Sequence, residues 1–165
     1  MPLGTDYAAS GCSLARTLEI VGERWTLLIV RDLLFGVRRF SDIQRHIDVP
    51  KAVLADRLNT LEQAGVIERR DREIVLTPRG EELWPAVHTL MQWGERHLAP
   101  HGPVRLFSHA RCDTELDHTG ACPTCETDPP PREIETRPGP GAKPTRDDAV
   151  TVALREPRRL LAPLH

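Results

Sequence analysis

Length, composition and charge limit the kind of protein that this chain can be. Its 165 residues include 22 basic and 24 acidic side chains, a formal net charge of −2 and 39% hydrophobic residues, which is typical of one folded domain with an appendage. No apolar run approaches the roughly 20 residues that cross a bilayer, and the first residues do not form a signal peptide. We therefore expect a cytoplasmic protein with no membrane partner, whose four cysteines are thiols or metal ligands.

Proline divides the chain into two parts. Only four of the fifteen prolines precede residue 99, so residues 1–98 can form long helices and the remainder cannot. We predict a helical domain over 1–98, a Cys/His extension over 99–127, and a Pro-rich tether with a terminal segment over 128–165. Residues 149–154 alternate like a strand, which either joins the extension or crosses to a partner subunit.

Two helices are predicted first in chain order. Ser10 caps a short helix whose apolar side chains repeat with the helical period and which ends at Gly22. Residues 24–35 follow, with apolar side chains around most of the circumference, which indicates a helix at the centre of a domain. Gly36 supplies the left-handed residue that ends this helix.

The next residues predict two helices joined by a tight turn. Ser41 caps a short helix over residues 42–46, and a three-residue turn leads to a longer helix over residues 50–64. Pro50 suits the first position of that longer helix, because the missing N–H has no helical partner there. The buried stripe of the longer helix consists of Leu54, Leu58 and Leu61.

A hairpin and a final helix complete the predicted domain. Only two residues separate the candidate strands 66–70 and 73–77. Residues 78–98 keep a helical apolar period, and Pro85 predicts either a bend or one weakened backbone bond within them. Short helix, turn, helix and hairpin form a winged helix-turn-helix, which presents its second helix to the DNA major groove. We therefore predict a mainly α fold with a small β-hairpin, followed by a small irregular metal-binding extension; a purely structural packing domain is the alternative.

The outer edge of the 50–64 helix is the candidate surface for reading bases. With the leucines inward, Ala52, Ala55 and Asn59 point outward, and Lys51 lies in the N-terminal turn. Lysine can contact guanine or phosphate, asparagine can contact adenine, and alanine methyl groups can contact a thymine methyl. The predicted phosphate contacts come from the short helix and the hairpin: Arg39, Ser41, Gln44, Arg70 and Arg72. The alternative is that several of the arginines are solvated or pair with Asp56, Asp71 or Glu68.

The second part of the chain carries an H-x2-C-x9-C-x2-C pattern. Its members are His109, Cys112, Cys122 and Cys125. Two-residue gaps let paired ligands turn onto one metal ion, and four protein ligands close a tetrahedral site, so we predict a structural zinc. The alternatives are idle thiols, a disulfide joining Cys122 to either of the other two cysteines, and His118 as the fourth ligand.

Other candidate residues lie outside this pattern. Cys12 lies in the first turn of the first helix if Ser10 caps it, and the positive end of the helix dipole favours negative charge there. Cys12 is either a redox sensor or a small, half-buried residue at a dimer-forming N-terminus. His88 and His97 are predicted to be surface or interface residues.

Several linked motifs resemble one family of regulators. The segments C-S-L-A-R-T-L at 12–18, G-E-R-W-T at 22–26, D-L-L-F-G at 32–36 and R-F-S-D-I at 39–43 resemble the HxlR-type winged helix-turn-helix transcriptional regulators. The likeness covers about residues 11–98. It implies a bacterial homodimer that binds a double-stranded, inverted-repeat operator and responds to a redox or small-molecule signal. In some members the cysteine equivalent to Cys12 is a redox sensor, and some members carry a C-terminal Cys/His appendage.

Partners and competing functions complete the predictions. One recognition helix contacts too few bases for useful specificity, so a homodimer is expected, and residues 1–98 are the predicted DNA-binding and dimerisation domain. The predicted interface is the first helix and the 78–98 helix with Trp84, Met91 and Trp93, and the cleft between those helices is the default place for an unidentified effector. An enzyme is disfavoured because the chain shows no His-Glu helix motif, phosphate loop or nucleophile–base pair. The alternative function is a zinc-containing protein-interaction adaptor without sequence-specific DNA binding.

Overall fold

Helices dominate the first part of the chain and strands the second. The computed structural model describes Tyr7, residues 11–143 and residues 145–164. Its helices are α1 (Ser13–Val21), α2 (Thr26–Leu34), α3 (Phe40–Ile47), α4 (Lys51–Gln63), α5 (Pro78–Glu81), α6 (Trp84–Leu98) and α7 (Ala149–Ala153). Its strands are β1 (Ile67–Arg70), β2 (Glu73–Leu76), β3 (Arg105–His109), β4 (Thr114–Glu115), β5 (Ile134–Pro138) and β6 (Arg158–Arg159). A single 3₁₀ turn, Pro131–Glu133, precedes β5. No helix in the described part of the chain is both long enough and apolar enough to cross a membrane.

Helix α2 lies at the centre of the molecule, as its apolar circumference predicts. Ile29, Val30 and Leu34 are fully buried in it. Gly36 has a φ of +87°, and a Cβ there would meet the carbonyl oxygen of Ala162 at 1.8 Å. The end of α2 therefore requires glycine both for the left-handed backbone and for the close approach of the C-terminal segment.

The starts of two helices differ from the predictions. Ser10 lies outside the described residues, and Cys12 occupies the N-cap position of α1. The predicted Ser41 cap is wrong: α3 begins at Phe40, after Arg39, and no side chain caps it. Phe40 packs against the core, so the helix starts one residue before the serine in order to bury this ring.

Helix α4 has the predicted inward stripe. Leu54, Leu58 and Leu61 are fully buried. Pro50 lies at the N-cap, so the helix begins at Lys51, one residue after the predicted start. In the turn before α4, Asp48 adopts a left-handed conformation with φ 54°. Strands β1 and β2 pair antiparallel after α4, with Ile67 opposite Leu76, and form the predicted hairpin.

The predicted 78–98 helix is interrupted. Helix α5 ends at Glu81 and α6 begins at Trp84, which places Pro85 in the first turn of α6. In place of the bend or weakened backbone bond predicted at Pro85, the helix is interrupted just before this residue, because a proline has no N–H and its ring clashes with the preceding turn. The chain therefore starts a new helix at this point, where a proline is tolerated.

Residues 99–164, called the extension from here on, contain a sheet that the sequence pattern does not predict. Four antiparallel strands lie in the order β4-β3-β5-β6, with Phe107 opposite Thr136. The interpretation of the Pro-rich residues as a tether is wrong for Ile134–Pro138, because these residues form β5 between two neighbouring strands. The strand predicted over residues 149–154 is also wrong. The Asp148 carboxylate accepts a hydrogen bond from Thr151 N at 3.0 Å and caps a short helix, α7.

The extension packs directly on the helical domain. Leu161 N donates to the Leu34 carbonyl oxygen at 2.7 Å, and Leu164 N donates to that of Gly36 at 2.9 Å. The ring centroids of Trp84 on α6 and Phe107 on β3 are 5.1 Å apart. One hydrophobic core therefore includes residues from both parts of the chain.

Candidate nucleic-acid interface and Cys/His cluster

The edge of α4 opposite its leucine stripe faces away from the core. Lys51, Ala52 and Asn59 are exposed, and Ala55 is half-buried. Three of these four predicted base-contacting side chains are thus accessible on a helix that its buried leucines hold rigidly against the core.

The predicted phosphate-contacting residues flank this edge. Arg39 and Ser41 are exposed around the start of α3, and Gln44, on the same helix, is half-buried. Arg70 ends β1 and Arg72 lies in the hairpin turn, and both are exposed. In the described part of the chain, no carboxylate forms an ion pair with Arg39, Lys51 or Arg72. These three cations are available to an external anion such as a phosphate.

Other polar groups near α4 are already engaged, which agrees in part with the alternative of internal pairing. The Asn59 side-chain oxygen accepts a hydrogen bond from Arg69 Nη2 at 3.0 Å, and Arg69 also pairs with Glu62. Arg70 pairs with Glu68 across an exposed surface. Adenine recognition by Asn59 therefore requires exchange of its contact with Arg69, a residue that the sequence pattern did not single out.

Further ion pairs surround the helix-turn-helix. Arg57 Nη2 lies 2.9 Å from a carboxylate oxygen of Asp56, so this carboxylate holds an arginine, as the alternative interpretation states. Asp32 on α2 is fully buried, and its two carboxylate oxygens lie 2.8 Å from Arg31 Nη2 and 2.8 Å from His46 Nδ1. The contact with His46 joins α3 to the central helix and is not visible in the sequence, because the two residues belong to different elements.

The four members of the Cys/His pattern meet at one point. One ligand atom from each of His109, Cys112, Cys122 and Cys125 lies within 4.8 Å of the others. Cys112 Sγ is 3.6 Å from His109 Nδ1 and 3.5 Å from Cys122 Sγ. The backbone N–H of Cys125 points at Cys122 Sγ, at 3.4 Å. The three cysteines form no disulfide, and His118 is exposed, so His109 is the histidine that joins the cysteines.

The surroundings of the Cys/His cluster shift the pKa values of three of its members. Hydrogen bonds from the side chain and backbone of Thr114 lower the pKa of Cys112 to about 6. The neighbouring Cys112 raises the pKa of Cys125 to about 11. A hydrogen bond with Cys122 raises the pKa of His109, and Glu133 Oε2 lies 3.3 Å from its Nε2. Three sulfurs, one imidazole nitrogen and an outer carboxylate fit the donor set of a closed zinc site.

The remaining candidate residues lie in different surroundings. Cys12 is exposed and occupies the N-cap position of α1. His97 is exposed on α6, as predicted. The prediction for His88 is wrong: it is 1% exposed, and its Nε2 lies 3.0 Å from the Asp117 carbonyl oxygen. The extension covers this face of α6, and burial lowers the pKa of His88.

The predicted dimer face is only partly available. Trp84 is buried against Phe107 and therefore cannot contact a partner, contrary to the prediction. Met91 packs against the core, whereas Trp93 is 53% exposed on α6. Further apolar side chains are exposed on the two predicted interface helices, and they include Leu14, Leu18, Leu90 and Leu98. Both α1 and α6 thus carry large apolar side chains that nothing in the described part of the chain covers.

Comparison with known proteins agrees with the geometry. The family model described as HxlR-like helix-turn-helix matches residues 20–102. An HTH-type transcriptional regulator of Mycobacterium tuberculosis, Rv3095, is 39% identical over 141 residues, which cover 81% of this chain and 89% of that protein. The matched 81% of this chain is more than residues 1–98 alone make up, so the likeness continues into the extension. The HTH-type transcriptional regulator YtfH of Escherichia coli is 37% identical over 98 residues, which cover 54% of this chain and 78% of the relative.

Solved structures show the same fold. The crystal structure of PA1607, named as a transcription factor, superposes with a TM-score of 0.54 at 36% identity and covers 58% of this chain and 72% of that one. A protein of Porphyromonas gingivalis, named as a MarR-family regulator, superposes with a TM-score of 0.51 at 26% identity and covers 54% of this chain and 95% of that one. With a family match over half its length, an exposed α4 and a hairpin beside it, this chain belongs to the HxlR-like helix-turn-helix family of transcriptional regulators.

Proposed function

We propose that the protein is a homodimeric transcriptional regulator that binds an inverted-repeat operator in the bacterial cytoplasm by placing α4 in the DNA major groove. The observation that carries this proposal is the division of α4 into two edges. Leu54, Leu58 and Leu61 are buried beneath it, and Lys51 and Ala52 are exposed on the other side. In this docking mode the first residues of the recognition helix meet the base edges.

The flanking cations position the helix on the duplex. Arg39 precedes α3, and Arg72 lies at the tip of the hairpin. With Lys51 between them in the chain, they supply positive charge on both sides of α4, although the whole chain has a net charge of −2. Phosphate contacts fix register and orientation, and contacts in the groove then select sequence.

Dimerisation uses α1 and α6. Leu14, Leu18, Leu90 and Trp93 are between 49% and 66% exposed, and burial of such side chains stabilises an interface. A two-fold dimer that reads successive major grooves spaces its half-sites by about 34–36 Å. The regulatory signal is a redox or small-molecule signal, and the exposed Cys12 is the proposed sensor for a redox signal.

The extension is held by a structural zinc. His109, Cys112, Cys122 and Cys125 would hold the ion, and Glu133 would orient the histidine. A closed set of four protein ligands leaves no open position, so the metal would order the extension and supply no reaction chemistry.

DNA binding is tested by anisotropy titrations of fragments of the protein's own upstream DNA. Lys51→Ala and Arg39→Ala are each expected to weaken binding and to lower the slope of log K against log salt by about one unit, because each removes a phosphate contact. Arg159→Ala, which removes an exposed cation from β6 in the extension, is the matched control and is expected to leave both quantities unchanged. Equal effects from all three variants, or no binding above that of unrelated DNA, would contradict the proposal and favour an adaptor function.

A further inference from the structure

A cavity of about 670 Å³ lies where the extension meets the helical domain. Phe35, at the C-terminus of α2, and Met91 and Leu98, on α6, line one side. Val104, before β3, and Leu154, after α7, line the other. Its volume lies within the range of small-molecule sites, and its walls are largely apolar.

Arg105 brings a positive charge to this apolar cavity. Its guanidinium donates to Thr136 Oγ1 at 3.0 Å and to the Leu154 carbonyl oxygen at 2.5 Å, both uncharged acceptors. No carboxylate in the described part of the chain forms an ion pair with this guanidinium. Burial, together with repulsion from Arg158 and Arg31, lowers the pKa of Arg105 to about 10. A half-buried cation among other cations is in a position that an external anion would stabilise.

The other charged groups around the cavity are mainly basic. Lys143 and Arg155 are exposed and also line it. Glu95 is the acidic lining residue among those described, and its Oε1 accepts a hydrogen bond from the Arg105 backbone N–H at 3.3 Å. The cavity therefore combines apolar walls with an excess of positive charge.

We propose that this cavity binds an amphipathic carboxylic acid, with its carboxylate beside Arg105 and its apolar body against Met91 and Leu98. This site differs from the cleft between α1 and α6 that the sequence suggested for an effector. A carboxylate supplies the anionic acceptor that Arg105 lacks, and an alkyl or aromatic body removes apolar wall from water.

The cavity also touches the helix-turn-helix. His46, on α3, lines it and is paired with the buried Asp32. Near the end of α3, Arg146 donates to the carbonyl oxygens of Arg45 and His46. A ligand in the cavity would therefore contact α3, the helix that precedes α4. The amphipathic carboxylic acid would then be the small-molecule signal of the regulator, and this part of the inference rests on the proposed function.

The ligand site is tested without DNA, so its failure is distinguishable from failure of the proposed DNA binding. The fluorescent anion 8-anilinonaphthalene-1-sulfonate is titrated against the full chain and then displaced with decanoate, decanol or decylamine. Decanoate is expected to displace it at about tenfold lower concentration than decanol, since a charge-assisted contact exceeds an apolar one alone. Arg105→Gln, which keeps a side-chain donor, is expected to reduce this preference to about twofold or less.

Gly94 provides a matched pair of variants. It lines the cavity on α6, and a Cβ added there would meet nothing within 4 Å. Gly94→Phe is expected to fill the cavity and weaken decanoate binding at least about tenfold, whereas Gly94→Ala is expected to retain it. Thermal unfolding and light scattering check that both variants are folded and have the same oligomeric state. Equal decanoate affinity of the two variants, or equal displacement by decanol and decanoate, would overturn the proposal.

Discussion

A single buried carboxylate links two helices of the DNA-binding domain. Asp32 has no exposed surface and is satisfied by Arg31 on its own helix and by His46 on α3. A buried charge is costly unless it is paired and hydrogen-bonded. The position of α3 relative to α2 therefore depends on a polar contact as well as on apolar packing, and α3 sets the start of the turn that leads to α4.

His88 provides a second buried polar group, and its protonation affects stability. Its Nε2–H donates to the Asp117 carbonyl oxygen, and its Nδ1 has no hydrogen-bond partner among the described residues. Burial lowers the pKa of His88 below the usual 6.5. The unfolded chain therefore binds this proton at a higher pH than the folded chain does. The resulting stability is present above pH 6.5 and is lost as the pH falls toward the pKa of the folded state.

We expect His88→Gln to reduce the dependence of stability on pH. Glutamine keeps a donor for the Asp117 carbonyl oxygen but does not titrate. Between about pH 7.5 and about pH 5.5, the free energy of unfolding, measured in urea, should fall less for this variant than for the unmodified protein. His97→Gln, at an exposed site on the same helix, should behave like the unmodified protein. Parallel pH profiles of the unfolding free energy for all three proteins would contradict the assignment of this pH dependence to His88.

The turns that carry the Cys/His cluster have little hydrophobic support. Between Cys112 and Cys122 the chain buries Leu116, and the adjacent β4 has only two residues. Short elements of this kind are stable only when something besides burial orders them. In the proposed site, zinc would connect β3, which carries His109, to both cysteine-bearing turns.

Removal of the metal is therefore expected to destabilise the extension first. The purified protein should contain about one zinc per chain by mass spectrometry, and Cys122→Ser should lose it and lower the free energy of unfolding by at least about 3 kcal/mol. Cys12→Ser, outside the cluster, should keep the metal. Zinc-free protein of unchanged stability, or a Cys122→Ser variant with full zinc content, would be incompatible with a structural metal.

The molecule as a whole leaves apolar side chains exposed on α1 and α6. Leu14 is 66% exposed and Trp93 is 53% exposed. Exposed apolar side chains on two helices are typical of an interaction surface rather than of an isolated monomer. The proposed dimer would cover these side chains and place two copies of α4 on one duplex.

We expect Trp93→Glu to convert the dimer to a monomer in sedimentation velocity experiments, because a buried unpaired carboxylate opposes association. The affinity of this variant for an operator with two half-sites should also fall, since each monomer would bind one half-site alone. Val152→Glu tests an exposed apolar residue of α7 and should leave the dimer intact. A Trp93→Glu protein that remains dimeric would exclude α6 from the interface.

The order of elements in the helix-turn-helix and the grouping of the four metal-binding candidates follow from local pattern. The leucine stripe of α4 has the helical period, the hairpin needs only two residues between its strands, and two-residue gaps bring paired ligands together. Each of these signals joins residues that are close in the chain, so it can be read without knowing the fold.

Contacts between distant segments decided the rest. Whether Trp84 and His88 face a partner or a core depended on β3 and the turn at Asp117, which pack over α6. The Pro-rich residues became β5 because strands on both sides pair with Ile134–Pro138. Burial and strand pairing across a sheet depend on which segments meet in space, and the amino-acid pattern of one segment does not contain that information.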